Sequence, residues 1–363
     1  MPNSPDGTSI YEQRPIGQIG LTDAAGVRRY VELLAGGSYQ GRELGRALHV
    51  FDRMLETKTV IFLALAGAMV PAGMRGLITD LLEHRLIDGI VTTGANAIHD
   101  IVECMGQPHY AIDPTTVDDS KLGELKLNRV YDTIMPEQGF VDAEHLLLDL
   151  FQEMDASRAC NSREFLHSLG RRLSARGLTS GMVTTAARLG LPIYCPAIAD
   201  SELGIDLLYG RLQRNHHLVI DTIGDIGESS EVVWQSHLAG AEVGIITIGG
   251  GTPRNFIQQT APCLDCMGRP YRGHKYAIGI TTDVPYWGGL SGSTFEEAES
   301  WRKYNHPEHA TVRADATIVF PMLCMAAFEG LQAGEARPAL PRFSFENGEV
   351  GVTLERPSSV SQR

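Results

Sequence analysis

A short apolar run that ends near glycine and opens into a helix recurs along this chain, and that recurrence leaves few folds open. Residues 59–65 (TVIFLAL) lead into GAMVPAG and a helical pattern that continues to Arg85. Residues 89–93 (GIVTT) end in Gly94-Ala95-Asn96 and open a second helix. The alternation resumes at 218–221 (LVID), a helix over about 229–239, and 243–248 (VGIITI). That last run meets Gly249-Gly250-Gly251 and a helix from about Pro253, and 276–280 (YAIGI) comes next. Strand, glycine turn and helix in repetition build parallel α/β sheets. The expected fold is one α/β domain, doubly wound, with a mostly parallel sheet and helices on both faces.

Around this frame, Leu44, Ala47, Leu48, Phe51 and Leu55 recur at helical spacing and predict an amphipathic helix over 41–58. Residues 1–20 read as a loose arm, within an N-terminal segment running to 37. A mostly polar, helical region over about 120–190 crosses to a strand at 191–197. No linker divides the stretch 38–333, which forms the main domain. Past it, Asn347-Gly348 between alternating residues predicts a hairpin within a C-terminal segment, 334–363.

Charge and cysteine usage narrow the function. A net charge of −13 and a pI near 5.4 disfavour nucleic acid and suit a cationic partner, such as a polyamine or a basic protein surface. The close cysteine pair Cys263 and Cys266 has no second pair to complete a zinc site, so ordinary reduced thiols and no metal are expected. The N-terminus lacks a signal-peptide core and no apolar run approaches the roughly 20 residues of a membrane span. A cytoplasmic chain without a membrane partner is the expectation.

The densest chemistry lies in 281–321, TTDVPYWGGLSGSTFEEAESWRKYNHPEHATVRADATIVFP. One lysine, a tryptophan and several carboxylates sit close together there, a set suited to binding a cationic amine and acting on it covalently. Glu297 lies four residues before Trp301, so a helix places both on one face: a carboxylate for an ammonium, an aromatic face for its methylene chain. The plain alternative is a solvated carboxylate beside a half-buried tryptophan. Lys303 attacks an imine only as the free amine, which requires desolvation or a nearby cation. Arg302 is adjacent, but about 100° away on a helix. Gly249 and Gly250 open either a tight turn or a cofactor loop, and no G-x-G-x-x-G or Walker pattern is present. Thr93 and Gly94 read equally as a capped strand end, Asp200 as a helix cap, and His99 as a structural helix residue.

GGLSGSTFEEAESWRK followed by VRADATIVFP resembles the signature of the deoxyhypusine synthase family, which includes the homospermidine synthases; the likeness runs from about Ser38 to Phe328. The resemblance implies a Rossmann-like fold and an NAD site containing Thr93, Gly94, Asp200, Gly249, Gly250, Thr282, Ala314 and Asp315. It implies Lys303 as the catalytic lysine, with Glu297, Trp301, Asp206, Asn255 and His99 toward the substrate. Arg302 replaces the glycine of the usual Trp-Gly-Lys, and Asn255 stands where the family has histidine. His99 stands where eukaryotic members carry glutamate. The spermidine aspartate aligns with Ile205, one place before Asp206, and two further aspartates of eukaryotic members fall at Trp287 and Leu290.

The activity so implied is NAD-dependent aminobutyl transfer from spermidine through an enzyme–lysine imine. The acceptor is either a lysine of the hypusine-bearing translation factor or a free diamine such as putrescine, the latter giving homospermidine. A homotetramer of tight dimers with active sites at the dimer interface is implied as well. A protein of the same fold that binds NAD or a polyamine without catalysis is the alternative of a different class.

Overall fold

The structure, a computed structural model, describes residues 16–20, 22–23, 25–289, 293–334, 336–346 and 348–357. Helices α1 (Val27–Ala35) and α2 (Tyr39–Glu56) lead into strand β1 (Thr59–Leu65). A π-turn (Val70–Met74), α3 (Arg75–Glu83), β2 (Gly89–Thr92) and α4 (Gly94–Cys104) come next. A short excursion comprises β3 (Tyr110–Ala111), α5 (Asp119–Glu124), β4 (Leu127–Val130) and β5 (Thr133–Pro136). The chain returns through α6 (Glu137–Gln152), α7 (Ser162–Ala175), α8 (Met182–Leu189), β6 (Ile193–Tyr194), α9 (Glu202–Arg214) and α10 (Thr222–Leu238). Then come β7 (Glu242–Ile248), α11 (Gly251–Cys266), β8 (His274–Ile280), α12 (Phe295–Ser300), β9 (Tyr304–Val312) and α13 (Ala316–Ala333). The hairpin β10 (Leu340–Glu346) and β11 (Glu349–Glu355) closes the described chain.

The main sheet has the order β6-β2-β1-β7-β8-β9, with every neighbouring pair parallel. Counting only its own strands, the chain visits them as 3-2-1-4-5-6, the order of a doubly wound nucleotide-binding sheet. Alternating side chains feed two cores. Ile61, Leu63 and Leu65 join the layer with α2, α3, α4 and α13, and Val60, Phe62 and Ala64 join the layer with α10, α11 and α12. The α/β architecture read from the sequence is therefore the one observed.

Three local expectations are corrected. Residues 218–221 do not form a strand of the sheet: Ile220 makes one isolated bridge with Cys160, and Asp221 caps α10 through Ile223 N and Gly224 N. The region before residue 190 is not all helical. It holds the antiparallel sheet β3-β5-β4, whose turns put Lys126 and Tyr131 in the left-handed region without the glycines that would have announced them. Strand β9 of the main sheet, for which the apolar end of the run suggests only a short strand over 311–314, begins at Tyr304 because it is an edge strand. Its first half, YNHPEH, tolerates Pro307 and polar side chains that a central strand would reject.

Within the stretch read as an N-terminal arm, α1 packs against α2 and α13 with Val31 fully buried, while residues 1–15 lie outside the described residues. By length and composition α13 could cross a membrane, contrary to the expectation that no run approaches such a span. Its Val319, Phe320, Leu323 and Cys324 are nonetheless buried in the protein core. The hairpin's Asn347 lies outside the described residues. Gly348 takes φ 78, and Phe343 and Phe345 pair with Val352 and Val350.

A buried ion cluster ties this C-terminal segment to the sheet. Asp88, fully buried, accepts from Ile61 N at 3.0 Å, Arg85 Nη2 at 3.0 Å, and Arg337 Nη1 and Nη2 at 3.0 and 2.8 Å. Arg337 also donates to Arg85 O and Thr59 O, and Arg85 donates to Pro341 O. Removing one member of such a cluster leaves buried charge uncompensated. Asp88→Ala is expected to cost roughly 3 to 5 kcal/mol of stability in urea unfolding, and a loss below about 1 kcal/mol would contradict this role.

Candidate active site

Because all six strands run the same way, their C-terminal ends share one edge, and the candidate cofactor residues gather there. Thr93 and Gly94 follow β2, Gly249 and Gly250 follow β7, Thr282 follows β8, and Ala314 and Asp315 follow β9. Asp200 lies in the turn after β6. The winding reverses between β1 and β7, where Gly249 (φ 74) passes against Ala66, whose amide donates to Ile248 O. Asn96 fixes two of the loops together: its side chain accepts from Val70 N and donates to Gly67 O and Thr93 Oγ1.

Several of these residues also serve the fold. Thr93 does cap α4, accepting from Asn96 N. Gly94 is packed so closely that a Cβ would lie 2.1 Å from Ser201 Oγ. Asp315 caps α13, accepting from Thr317 N at 2.7 Å, and its bonds to Thr317 hold its carboxyl below the usual range. Asp200 is exposed and is not the cap of the following helix, a place taken by Ser201. At the same edge the hydroxyls of Thr92 and Thr247 are buried with no partner among the described residues. Orphaned donors beside glycine turns and two helix N-termini suit the hydroxyls and phosphates of a dinucleotide, so the residues present fit that group.

Lys303 enters from another direction. Its backbone carbonyl accepts from His274 N where β8 begins, while its half-buried side chain donates from Nζ to Asn255 Oδ1 at 2.7 Å. Asn255 lies in the second turn of α11, the helix that the triple glycine opens. The amine is held below the ordinary lysine range, first by burial and then by the Arg254 guanidinium, with Glu297 pulling the other way. The cation that favours the free amine is thus Arg254, not Arg302. The signal was present in the GGGTPRN run, where Arg254 directly precedes Asn255, but only the fold shows that the helix faces Lys303.

Glu297 and Trp301 lie on and at the end of α12, both exposed, Trp301 by 69%. Thr294 starts that helix by accepting from Glu297 N. His99 and Asp206 are not brought to Lys303 within this chain. They sit on α4 and α9, which follow β2 and β6, whereas Lys303 precedes β9 at the opposite edge. His99 meets Phe140 edge to face and His109 at 2.9 Å, and burial next to His109 pushes it down to about 4. Asp206 is fully buried with neither carboxylate oxygen partnered among the described residues. Burial, reinforced by Glu202 and Glu144, pushes it up to about 7. Its neighbour Ile205 is the residue that faces out. Among the described residues no cluster suited to a metal ion occurs, and the cysteines are free.

Arg302 adopts φ 57, the left-handed conformation that lets the chain turn from α12 into β9, with its amide donating to Glu299 O. A residue with a Cβ is strained there by about 1–2 kcal/mol, part of which glycine's larger unfolded-state entropy offsets. Arg302→Gly is expected to raise stability by about 1 kcal/mol in denaturant unfolding. A fall would show that the arginine side chain makes a contribution larger than the strain.

A family model described as deoxyhypusine synthase matches residues 30–327. A protein named "Probable deoxyhypusine synthase 2" from Methanosarcina acetivorans is 39% identical over 320 residues, covering 87% of this chain and 90% of its own. Another so named, from Archaeoglobus fulgidus, is 42% identical over 292 residues, covering 80% and 94%. Among solved structures, one described as a putative deoxyhypusine synthase from Entamoeba histolytica aligns over 86% of this chain and 96% of its own. Its TM-score is 0.54 at 19% identity, a likeness of fold.

Proposed function

The chain belongs to the deoxyhypusine synthase family, and on that premise we propose that it is an NAD-dependent aminobutyl transferase acting from spermidine through an imine on Lys303. The observation that carries this reading is the environment of Lys303: half-buried, bonded to the uncharged Asn255, and held below the ordinary lysine range. An ordinary surface lysine is protonated at neutral pH and cannot attack.

NAD, when bound, supplies the acceptor for a hydride from the carbon beside the donor's secondary amine and returns that hydride to the product. In this reading Asp200 and Asp315 accept hydrogen bonds from ribose hydroxyls, and Gly249 and Gly250 let the backbone approach the pyrophosphate. Thr93, Gly94, Thr282 and Ala314 line the same edge. Glu297 pairs with an ammonium of the donor while Trp301 covers its methylenes. Lys303 Nζ adds to the oxidised donor carbon, the bond to the departing nitrogen breaks, and diaminopropane leaves. An acceptor amine then displaces the lysine. The acceptor is the translation factor's lysine or a free diamine such as putrescine. Exposed apolar Ile205 and Trp287, where the family carries aspartates, favour keeping the small diamine in view.

The test is borohydride trapping with labelled spermidine. Label is expected on the peptide containing Lys303, only when NAD is present, and not in Lys303→Ala. Lys303→Arg should fare no better, since a guanidinium stays protonated. Label elsewhere, or normal turnover by the alanine variant, would remove Lys303 from the reaction and favour a binding protein of the same fold. Chasing the trapped group with putrescine or with the factor distinguishes the two acceptors.

We propose further that the chain works as a homotetramer. Ile205, Leu208 and Leu212 on α9 and Ile223 on α10 are more than half exposed in the single chain, apolar side chains that contact with another subunit would bury. His99 then has a second route to a shared site, from the partner subunit. Light scattering at micromolar concentration is expected to give four times the chain mass of 39.5 kDa. A monomer would contradict the assembly.

A further inference from the structure

Lys303 is only one of several ionisable groups in its corner of the molecule, and they do not act on it alike. On α11, Arg254 is 5% exposed, its Nη2 donates to Ser293 O at 2.6 Å, and its guanidinium lies 5.4 Å from the centre of the Phe295 ring. That geometry fixes a positive charge beside Asn255, the residue that holds the lysine amine. Glu297 on α12 acts on both cations and favours their charged forms. Tyr304, next along β9, is buried, and its hydroxyl is pushed well above the usual range, chiefly by desolvation; Gln258 donates to it. His274 on β8, edge to face with Tyr304 and fully buried, is pushed down to about 3 and is neutral. The corner therefore carries one buried positive charge and one exposed negative charge against the amine.

Resting on the functional reading above, we propose that Arg254 is a positioning residue that keeps Lys303 available as a neutral nucleophile, by holding a fixed positive charge against it from the first turn of α11. The guanidinium suits this task because it cannot lose its own proton under conditions in which an amine does. Desolvation makes its charge act more strongly than it would in water. Asn255 completes the arrangement by accepting from Nζ without a charge that would favour the ammonium. Glu297 opposes Arg254, so donor binding, which engages Glu297 with an ammonium, tips the balance further toward the free amine.

The experiment reads Lys303 directly and needs no substrate. The full-length protein is trace-labelled with acetic anhydride from about pH 6 to about pH 11, and the Lys303 peptide is quantified by mass spectrometry. Wild-type Lys303 is expected to reach half-reactivity below an ordinary lysine. Arg254→Gln is expected to move that point up by about one pH unit. Arg254→Met, which fills the buried volume without charge, serves if the glutamine variant does not fold. Folded Gln or Met variants with an unmoved profile would overturn the proposal. If the profiles move as expected but no aminobutyl transfer occurs with spermidine, only the functional reading falls.

Discussion

Six strands that all run in one direction impose most of this molecule's architecture. Parallel neighbours cannot be joined by a tight turn, so each connection crosses back over a face of the sheet and helices cover both sides. The two cores then arise from alternation alone, Ile61 and Leu63 to one layer, Val60 and Phe62 to the other. The same constraint delivers the ends of β1, β2, β7, β8 and β9 to a single edge and opens a crevice where the winding reverses. Glycines at 94, 249 and 250 matter because of where the sheet leaves them, not because of any fingerprint in their spacing.

Lys303, whose carbonyl lies where β8 begins, sits among opposing electrostatic influences. Burial and Arg254 favour the free amine of Lys303, Glu297 favours the ammonium, and Asn255 orients the nitrogen without charge. A carboxylate in place of Asn255 would bind the lysine more tightly and make it less nucleophilic. The site accepts a looser grip in exchange for reactivity, and the exposed Glu297 and Trp301 remain open to an incoming amine.

Much of this was legible before folding. The uniformly apolar runs at β1 and β7, each ending near glycine, announced a parallel sheet, and the acidic segment before Trp301 announced α12. Local signals of that kind carry their own geometry. What escaped was set by contacts distant in sequence. Arg254 and Lys303 meet across 49 positions, and Asp88 and Arg337 across 249. The small sheet around Arg129 escaped because its turns use Lys126 and Tyr131 where a reader looks for glycine or asparagine. The rotation of α9 buries Asp206 and turns Ile205 outward, an orientation the sequence did not give. One residue along a helix is about 100° of direction, and sequence alignment does not settle which of two neighbours takes it.

The clamp of Arg337 on Asp88 has a temporal side. A chain is made from its N-terminus, so β1, β2 and the carboxylate between them exist long before residue 337 leaves the ribosome. Until then Asp88 has only the Ile61 amide and Arg85, three residues away, and the main-chain oxygen of Thr59 lacks the guanidinium that later caps it. The sheet can be laid down during synthesis, but its lower rim is sealed only by a residue 249 positions further along the chain. A chain stalled or clipped before that point keeps every residue proposed for chemistry and lacks the fastener beneath them. Such a fragment is a natural target for quality-control proteases, which act on what opens rather than on what has lost activity.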